Sequence, residues 1–249
     1  MHKNLHITAI IPALNEQDAI GQVVRDLFGL QDQHGKVIID NVIVADNGSV
    51  DFTAQRAREA GAQVVSETRR GYGAACLAAI YSISETDVIL FVDGDCSIRV
   101  AQATFLLDAI SNGADMAIGS RSLGVIESGA MTLPQRLGND LIAKIIAWVW
   151  HAQVTDIGPF RAIRYSALQK LGMQDMAYGW TVEMQVKALQ QGLVIVEIPV
   201  DCLVRVGRSK VSGTVRGVIG AACGMIGTIA RLWWRGRHTK KKAKLTITT

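Results

Sequence analysis

The sequence predicts an α/β fold in which helices cover both faces of a mostly parallel β-sheet. Short apolar runs alternate with helical patterns, and within these runs apolar residues follow one another instead of alternating with polar ones. Strands of this kind, separated by helices, are typical of a parallel sheet buried on both faces. The chain has 249 residues, 49% of them hydrophobic, which is enough for one such domain or two small ones.

Five strands are predicted in the first half of the chain, at residues 5–12, 41–45, 62–66, 87–92 and 114–119. Helical patterns lie between them at residues 16–30, 51–61, 71–83 and 100–112. The second half is less regular, with strands predicted at 160–164 and 193–200 and helices at 137–150 and 181–191. Because ligands bind beyond the carboxyl ends of parallel strands, the polar residues that follow the strands form the candidate site.

Charge is divided unequally along the chain. Residues 205–249 contain 11 Lys and Arg and no acidic residue, so residues 1–204 carry a net charge of −7 although the whole chain carries +4. We expect the basic segment to meet an anionic partner, either a phosphate, a nucleic acid or an anionic membrane surface. The predicted division is a globular domain at residues 1–210 and a helix with a basic tail at 211–249.

The cysteines and the N-terminal residues predict a cytoplasmic protein. Cys76, Cys96, Cys202 and Cys223 lie far apart without C-x-x-C spacing, which disfavours a zinc site or disulfides and favours reduced thiols. The first residues lack the apolar run of a secretory signal. No uncharged stretch is longer than 14 residues, the length of residues 217–230, whereas a membrane span needs about 20.

Asp93 and Asp95 are the strongest candidates for metal ligands. They follow the apolar run 88–92 and are separated by Gly94, so both carboxylates can turn toward one cation. Mg²⁺ or Mn²⁺ prefers a few carboxylate oxygens and completes its coordination with water and substrate phosphates. The alternative is an acidic turn in which Asp95 or Ser97 caps the next helix.

Two further motifs follow the second and third predicted strands. Asp46 is a candidate acceptor for the edge of a nucleotide base, or else part of a glycine turn capped by Ser49 or Asp51. Residues 69–75 (RRGYGAA) open a helix with small residues that would let the backbone approach a phosphate or a nucleotide. They match neither a Walker motif nor G-x-G-x-x-G after the first strand, which disfavours nucleotidases and dehydrogenases.

Together these motifs resemble those of the family 2 glycosyltransferases, which have a GT-A fold with a Rossmann-like sheet. The matching segments are residues 11–16 (IPALNE), 46–51 (DNGSVD), 70–75 (RGYGAA) and 93–95 (DGD). The resemblance extends over about residues 5–210 of the chain. It implies an inverting hexosyltransferase that uses a UDP- or GDP-hexose and Mg²⁺ or Mn²⁺. The nucleotide-sugar-binding residues implied by it are Pro12, Ala13, Asn15, Glu16, Asp46, Arg70, Gly71, Gly73, Asp93 and Gly94, with Asp93 and Asp95 holding the metal.

Within the family the chain is similar to the polyprenyl- and dolichyl-phosphate sugar synthases. The similar segments are residues 119–121 (GSR), 156–161 (DIGPFR) and 205–210 (RVGRSK). The resemblance implies that phosphates of donor and lipid lie among Arg121, Arg136, Arg161, Arg205, Ser209 and Lys210. Two positions depart from the pattern. Cys96 and Ser97 stand where the synthases usually place Leu-Gln, which removes one candidate metal ligand, and Asn47 stands where many members have a second Asp.

The acceptor is left open by the residues alone. A hydroxyl acceptor needs a general base, for which Asp156 and Glu183 are the candidates, whereas a phosphate monoester is already largely ionised at pH 7. In the structural alternatives, Asp156 pairs with Arg161 or Arg164 and Glu183 is a helix-N-terminal charge. The arginines favour a phosphate. A polyprenyl phosphate is therefore the first prediction, a hydroxyl acceptor the second, and a nucleotide-sugar-binding module without catalysis the third.

Residues 211–249 predict a helix that leads into a basic tail. Gly217, Gly220, Gly224 and Gly227 fall on one face, and Trp233 and Trp234 precede a run of cations. This pattern is typical of a helix that lies on an anionic bilayer, and its small residues also permit close helix pairing. The alternatives are packing on its own domain or on a second copy in a homo-oligomer. We predict a peripheral protein on the cytoplasmic face of the membrane, with no nucleic-acid partner.

Overall fold

The computed structural model describes residues 5–207, 215–236 and 245–247, with the backbone alone for residues 215–219 and 245–247. The strands are β1 (Ile7–Ala13), β2 (Asn41–Asp46), β3 (Gln63–Ser66), β4 (Val88–Phe91), β5 (Met116–Ser120), β6 (Arg161–Arg164), β7 (Ile195–Pro199) and β8 (Leu245–Ile247). The α-helices are α1 (Ile20–Phe28), α2 (Thr53–Glu59), α3 (Tyr72–Tyr81), α4 (Ala103–Ser111), α5 (Leu133–Trp150), α6 (Tyr165–Leu171), α7 (Trp180–Gln191) and α8 (Val215–Gly236). A 3₁₀ turn, Val100–Gln102, precedes α4.

The eight strands found in the described part of the chain form one sheet in the order β3-β2-β1-β4-β6-β5-β7-β8. Strand β6 runs antiparallel to its neighbours β4 and β5, and the other pairs of this sheet are parallel. The predicted α/β fold with a mostly parallel sheet is therefore confirmed. As a result, β1, β2, β4 and β5 all end at the same edge of the sheet.

Helices cover both faces of the sheet. On β1, Ile7, Ala9 and Ile11 face one core together with α1, α2 and α4, while Ile10 faces a second core with α3, α5, α6, α7 and α8. Both faces of the strand are thus buried, which explains why its apolar residues follow one another.

Most predicted elements are present, with shifted ends. Helix α5 begins at Leu133, four residues before the prediction, because Thr132 and Gln135 form a capping box and Pro134 occupies its first turn. Helix α6 was not predicted, since seven residues are too few to show a clear period; it ends at Leu171 and is capped by Gly172, whose φ of 55° is left-handed.

Helix α8 packs against α7 and α5 of its own chain. Ile229 and Leu232 are buried, and Thr228 Oγ1 donates a hydrogen bond to Asp175 Oδ2 at 2.8 Å. The glycine face lies partly over Tyr178, which would contact a Cβ added at Gly224. Among the described residues, no helix is long and apolar enough to cross a membrane.

Candidate functional site

A cleft opens where β4 and β5 end, at the edge of the sheet where the sequence predicts a site. Its lining includes Asp93, Asp95, Arg121, Gln135, Cys202 and Arg205. Asp93 and Asp95 follow β4, and Arg121 follows β5 directly. Arg205 comes from the segment after β7. The cleft therefore joins two carboxylates and two guanidinium groups from distant parts of the chain.

The turns after β1 and β2 are tied to each other beside this cleft. Asn15 has a left-handed φ of 52°, and its Oδ1 accepts a hydrogen bond from the N–H of Val50 at 2.9 Å. The N–H of Glu16 donates to Thr53 Oγ1 at 2.8 Å. Asp46, at the end of β2, is buried, and its Oδ1 accepts from the N–H of Ser49. Pro12 and Ala13 end β1, which pairs with β2 in register so that Ala13 lies opposite Asp46.

The hydrogen bonds of Asn47 explain why this chain has an amide where many proteins of the family that it resembles have an aspartate. Its Nδ2 donates to the carbonyl oxygens of Glu67 and Arg69 at 3.1 and 2.7 Å, and its Oδ1 accepts from the N–H of Gly71 at 2.8 Å. A carboxylate has no N–H to donate, so an aspartate would face two carbonyl oxygens. The amide thus holds the segment after β3 against β2, and the Arg70 Nη1 adds a hydrogen bond to the Asn47 carbonyl.

The glycines that open α3 are explained by the chain's own backbone. A Cβ at Gly71 would collide with the carbonyl oxygen of Met176, and one at Gly73 with that of Asp175. The N–H of Ala74 donates to the Met176 carbonyl at 3.0 Å. Gly71 and Gly73 therefore make room for the backbone of residues 175–176. They do not make room for the phosphate or nucleotide that the sequence suggested.

Asp93 and Asp95 provide an environment that favours a cation. Burial, followed by the charge of Asp95, raises the pKa of Asp93 to about 7 despite the opposing charges of Arg121 and Arg205. Tyr72 Oη donates a long hydrogen bond of 3.4 Å to Asp93 Oδ1. Gly94 lets the turn lie on the core, because a Cβ there would approach Ile11 and Ile20 within 3.2 Å.

No group of three or more His, Cys, Asp or Glu side chains suited to a metal occurs in the described part of the chain. A cation held by Asp93 and Asp95 would therefore take its other ligands from water and phosphate oxygens. Two carboxylates with several exchangeable positions suit Mg²⁺ or Mn²⁺, so the residues present fit the expected ion.

Arg205 bridges two sides of the cleft. Its Nη2 lies 3.1 Å from Glu16 Oε1 and 3.2 Å from Asp95 Oδ2, and the N–H of Val206 donates to the Asp95 carbonyl at 2.8 Å. The segment after β7 thus lies across the D-x-D turn. Ser209 and Lys210, predicted to act with Arg205, lie outside the described residues.

Asp156 is fully engaged by hydrogen bonds, which corrects its interpretation as a general base. It is buried, and it accepts from the N–H, Nε and Nη2 of Arg121 at 2.7 to 2.9 Å and from the N–H of Gly158 at 2.8 Å. Burial raises the pKa of Asp156, but the charge and hydrogen bonds of Arg121 outweigh it and leave the pKa below its ordinary value of 3.8. The ion pair expected with Arg161 or Arg164 is formed with Arg121 instead.

Glu183 and Arg161 also hold the fold together, in contrast to their predicted roles as base and phosphate ligand. Glu183 is buried on α7, where it accepts from two backbone N–H groups, those of Gln174 and Asp175, and pairs with Lys187 Nζ at 2.9 Å. Arg161 is 1% exposed and donates to the carbonyls of Gly158 and Thr181, both at 2.7 Å. Its burial lowers the pKa of Arg161 to about 10.

Of three further residues at or near the cleft, only Arg136 was predicted from the sequence to belong to the site. Arg136 is exposed in the first turns of α5. Gln135 lines the cleft and was not predicted, although the capping-box pattern 132–135 could have placed the start of α5 there. Cys202 is buried in the cleft wall, and burial raises the pKa of its thiol.

The chain is similar to known glycosyltransferases over most of its length. The family model described as "Glycosyl transferase family 2" matches residues 8–172. An uncharacterized glycosyltransferase of Mycobacterium tuberculosis is 32% identical over 215 residues, covering 86% of this chain and 93% of that protein. A dolichyl-phosphate hexose transferase of Haloferax volcanii is 29% identical over 207 residues, covering 82% of this chain and 86% of that protein.

Solved structures support the fold. Glucosyl-3-phosphoglycerate synthase from M. tuberculosis, crystallised with Mn²⁺, UDP and glucosyl-3-phosphoglycerate, superposes with a TM-score of 0.73 at 20% identity. The match covers 93% of this chain and 81% of that chain.

Proposed function

The chain belongs to glycosyl transferase family 2 and is a glycosyltransferase, and we propose that it transfers a hexose from UDP- or GDP-hexose to a polyprenyl phosphate with inversion at the anomeric carbon. The observation that carries the choice of acceptor is the state of the two candidate bases. Asp156 and Glu183 are buried and occupied by hydrogen bonds and ion pairs, so neither is available to take a proton from a hydroxyl. A phosphate monoester requires no such base, because it is largely ionised at pH 7.

The donor would bind at the turns after β1 and β2. Asp46 and residues 12–16 would form its nucleotide pocket, with Asp46 accepting from the base, and Arg70, which lies beside Gly48, would line that pocket. The hydrogen bonds of Asn15 and Asn47 fix these turns before the donor arrives. Such preorganisation reduces the ordering cost of binding.

Asp93 and Asp95 would hold Mg²⁺ or Mn²⁺, which would neutralise the diphosphate and so improve it as a leaving group. Arg205 would exchange its contacts with Asp95 and Glu16 for phosphate oxygens as the donor enters. Arg121 is held in place by Asp156 and lines the cleft, where its remaining N–H groups would meet phosphate oxygens. A guanidinium fork of this kind suits phosphate oxygens.

The reaction is a displacement at the anomeric carbon. An oxygen of the acceptor phosphate forms a bond to that carbon from the face opposite the leaving group. The bond between the carbon and the diphosphate oxygen breaks, and the nucleoside diphosphate leaves with the electron pair. Arg121, and Arg136 at the start of α5, would orient the acceptor phosphate.

The membrane is the place where such an acceptor is found, and we propose a peripheral position on its cytoplasmic face. The basic composition of residues 205–249 and the exposed Trp234 of α8 support this position. The name of the Haloferax volcanii relative supports a lipid-phosphate acceptor.

A donor and acceptor panel tests this function. The purified protein would be incubated with Mg²⁺ or Mn²⁺ and radiolabelled UDP- or GDP-hexoses, with polyprenyl phosphate, 3-phosphoglycerate or a polyprenol as acceptor. We expect labelled lipid only with the phosphate-bearing lipid. Label on 3-phosphoglycerate or on the polyprenol would contradict the proposed acceptor, and nucleotide binding without product would support a non-catalytic module.

A further inference from the structure

Helix α5 exposes an apolar stripe to solvent. Leu133, Leu137, Leu141 and Trp148 are 69, 60, 55 and 78% exposed, and their spacing of four, four and seven residues places them along one line of the helix. On the opposite side, Ile142 and Ile146 are buried in the core. Helix α5 is thus apolar on the face that packs against the core and apolar again along the centre of its solvent-exposed face.

Four large apolar side chains in one line are unusual on the surface of a soluble protein, where such residues are normally scattered. The fold gives no reason for them, since the inner face already anchors α5. Lys144 is exposed on the same side of the helix, four residues before Trp148. An apolar stripe with a tryptophan and a lysine at one end is typical of a helix that lies in a membrane interface.

The stripe begins at the cleft. Met131 and Gln135 line the cleft, and Leu133 lies between them in the chain. Leu137 and Leu141 lie one and two turns further along α5. The bilayer around a lipid whose phosphate is bound in the cleft would therefore meet this apolar surface. This continuity favours a lipid over a protein as the occupant of the stripe.

The neighbouring charges favour an anionic surface. Helix α8 packs on α5, and its described residues include no acidic side chain, while Ile226, Trp234 and Arg235 are exposed there. Beside the stripe, the exposed Lys144 and Asp140 balance each other, and the exposed Arg136 adds a positive charge at the end of α5 nearest the cleft. Anionic lipid headgroups would complement this balance, and each basic residue near such a surface adds to binding.

We propose that the outer face of α5, defined by Leu133, Leu137, Leu141 and Trp148, is the surface on which the protein lies on an anionic bilayer. The leucines enter the acyl boundary, and the cleft then opens at the depth of the lipid phosphates. This inference rests on the proposed function for its choice of acceptor, and its binding surface is tested without donor or acceptor.

The test is binding to vesicles of phosphatidylcholine with phosphatidylglycerol, measured by co-sedimentation and by tryptophan fluorescence. The variant Leu137→Glu/Leu141→Glu should lose about tenfold or more in partition coefficient, because interfacial binding scales with the apolar area inserted. The matched control is Phe105→Glu on α4. Phe105 is 54% exposed but lies on the helix layer across the sheet, so this variant should bind as the wild type does.

Three outcomes would overturn the proposal: wild-type protein that does not bind these vesicles, a double variant that binds equally well, or a Phe105→Glu variant that loses the same affinity. A wild-type dimer that the double variant dissociates, without vesicle binding, would also overturn it and identify a second copy as the occupant. Circular dichroism would verify that the variants are folded.

Transfer assays separate this surface from the proposed function. In detergent, with a short-chain polyprenyl phosphate, the double variant should retain the wild-type rate, because the bilayer is no longer needed. In vesicles its rate should fall by the same factor as its binding. Transfer that is absent in both media for the wild-type protein would reject the proposed acceptor while leaving the vesicle-binding result intact.

Discussion

Arg205 and Asp95 form an ion pair across the cleft, with the Nη2 of the arginine 3.2 Å from the Oδ2 of the aspartate. The same nitrogen lies 3.1 Å from Glu16 Oε1. One guanidinium therefore joins the turn after β1, the turn after β4 and the segment after β7. Its positive charge lies against the carboxylate that we propose as a metal ligand.

The first prediction concerns competition between Arg205 and the metal ion for the carboxylate of Asp95. In Arg205→Gln, Mn²⁺ alone should bind about threefold to tenfold more tightly, because a cation that repels the ion and occupies Asp95 is removed. Transfer should nevertheless fall, because the fork that would hold the phosphates is lost. Electron paramagnetic resonance of free Mn²⁺ measures the first effect. The control Arg99→Gln removes an exposed pair with Asp201 and should alter neither quantity; unchanged or weaker Mn²⁺ binding in Arg205→Gln would contradict the interpretation.

The second prediction concerns Asp156. Asp156→Asn should lower the free energy of unfolding by about 3–5 kcal/mol at pH 7, because Arg121 loses the charge that compensates its burial. The pKa of Asp156 in the folded protein is below 3.8, so its stabilising effect is fully present above that value and is lost as the pH falls through the lower folded pKa. The difference between variant and wild type should therefore be constant from pH 7 to about pH 5 and shrink in stronger acid.

Urea unfolding at a series of pH values measures that difference. The pH profile of transfer supplies the matching kinetic result. The rate of Asp156→Asn should fall without loss of an ionisation step, since the carboxylate orients Arg121 and takes no proton. A profile that loses its acidic limb in the variant would restore Asp156 as a general base, because a base must be deprotonated to act.

The third prediction concerns the residue that departs from the family pattern. Asn47→Asp should destabilise the protein by about 1–3 kcal/mol, because a carboxylate would face the Glu67 and Arg69 carbonyls without a hydrogen to donate. Nucleotide binding should weaken as well, since the segment at Gly71 would be released. Thermal unfolding and calorimetric titration with UDP and GDP measure the two effects. Asn112→Asp, on an exposed helix end, is the control and should behave as the wild type does.

The placement of the site could be predicted from the sequence, because parallel strands bring Asp46, Asp93 and Arg121 to one edge. The groups with which the charged side chains pair could not be predicted from the sequence. Nothing in the segment 156–161 tells whether the guanidinium group of Arg161 binds a phosphate or backbone carbonyls. In the structure it binds backbone carbonyls. That choice depends on Thr181, twenty residues away.

Glycine is ambiguous for the same reason. A glycine lets another group come close to the backbone, but the sequence does not tell which group that is. Gly71 and Gly73 are therefore as consistent with a bound ligand as with the backbone of residues 175–176. Asn47 is a further example, because its hydrogen bonds to residues 67 and 69 become visible only when β3 lies beside β2.

The fourth prediction tests the packing at the start of α3. Gly73→Ala should cost about 1–3 kcal/mol of stability, because its Cβ would collide with the Asp175 carbonyl and displace the segment before α7. Gly138→Ala is the matched control. Nothing lies within 4 Å of a Cβ there, so an alanine inside α5 should stabilise the helix by up to about 1 kcal/mol. Equal effects of the two substitutions on urea unfolding would exclude the collision as the cause.

The fifth prediction concerns the proposed metal ligands. Asp95→Ala should abolish both transfer and donor hydrolysis, because the cation would lose one of the two carboxylates that hold it and the diphosphate would keep its charge. Mn²⁺ binding should fall in parallel, and the folded state should persist, since the substitution also removes the charge that repels Asp93. Wild-type activity should disappear with a chelator and return with Mg²⁺ or Mn²⁺. Turnover of Asp95→Ala at the wild-type rate in added Mn²⁺ would remove the metal role from this residue and leave Arg205 and Arg121 as the groups that neutralise the diphosphate.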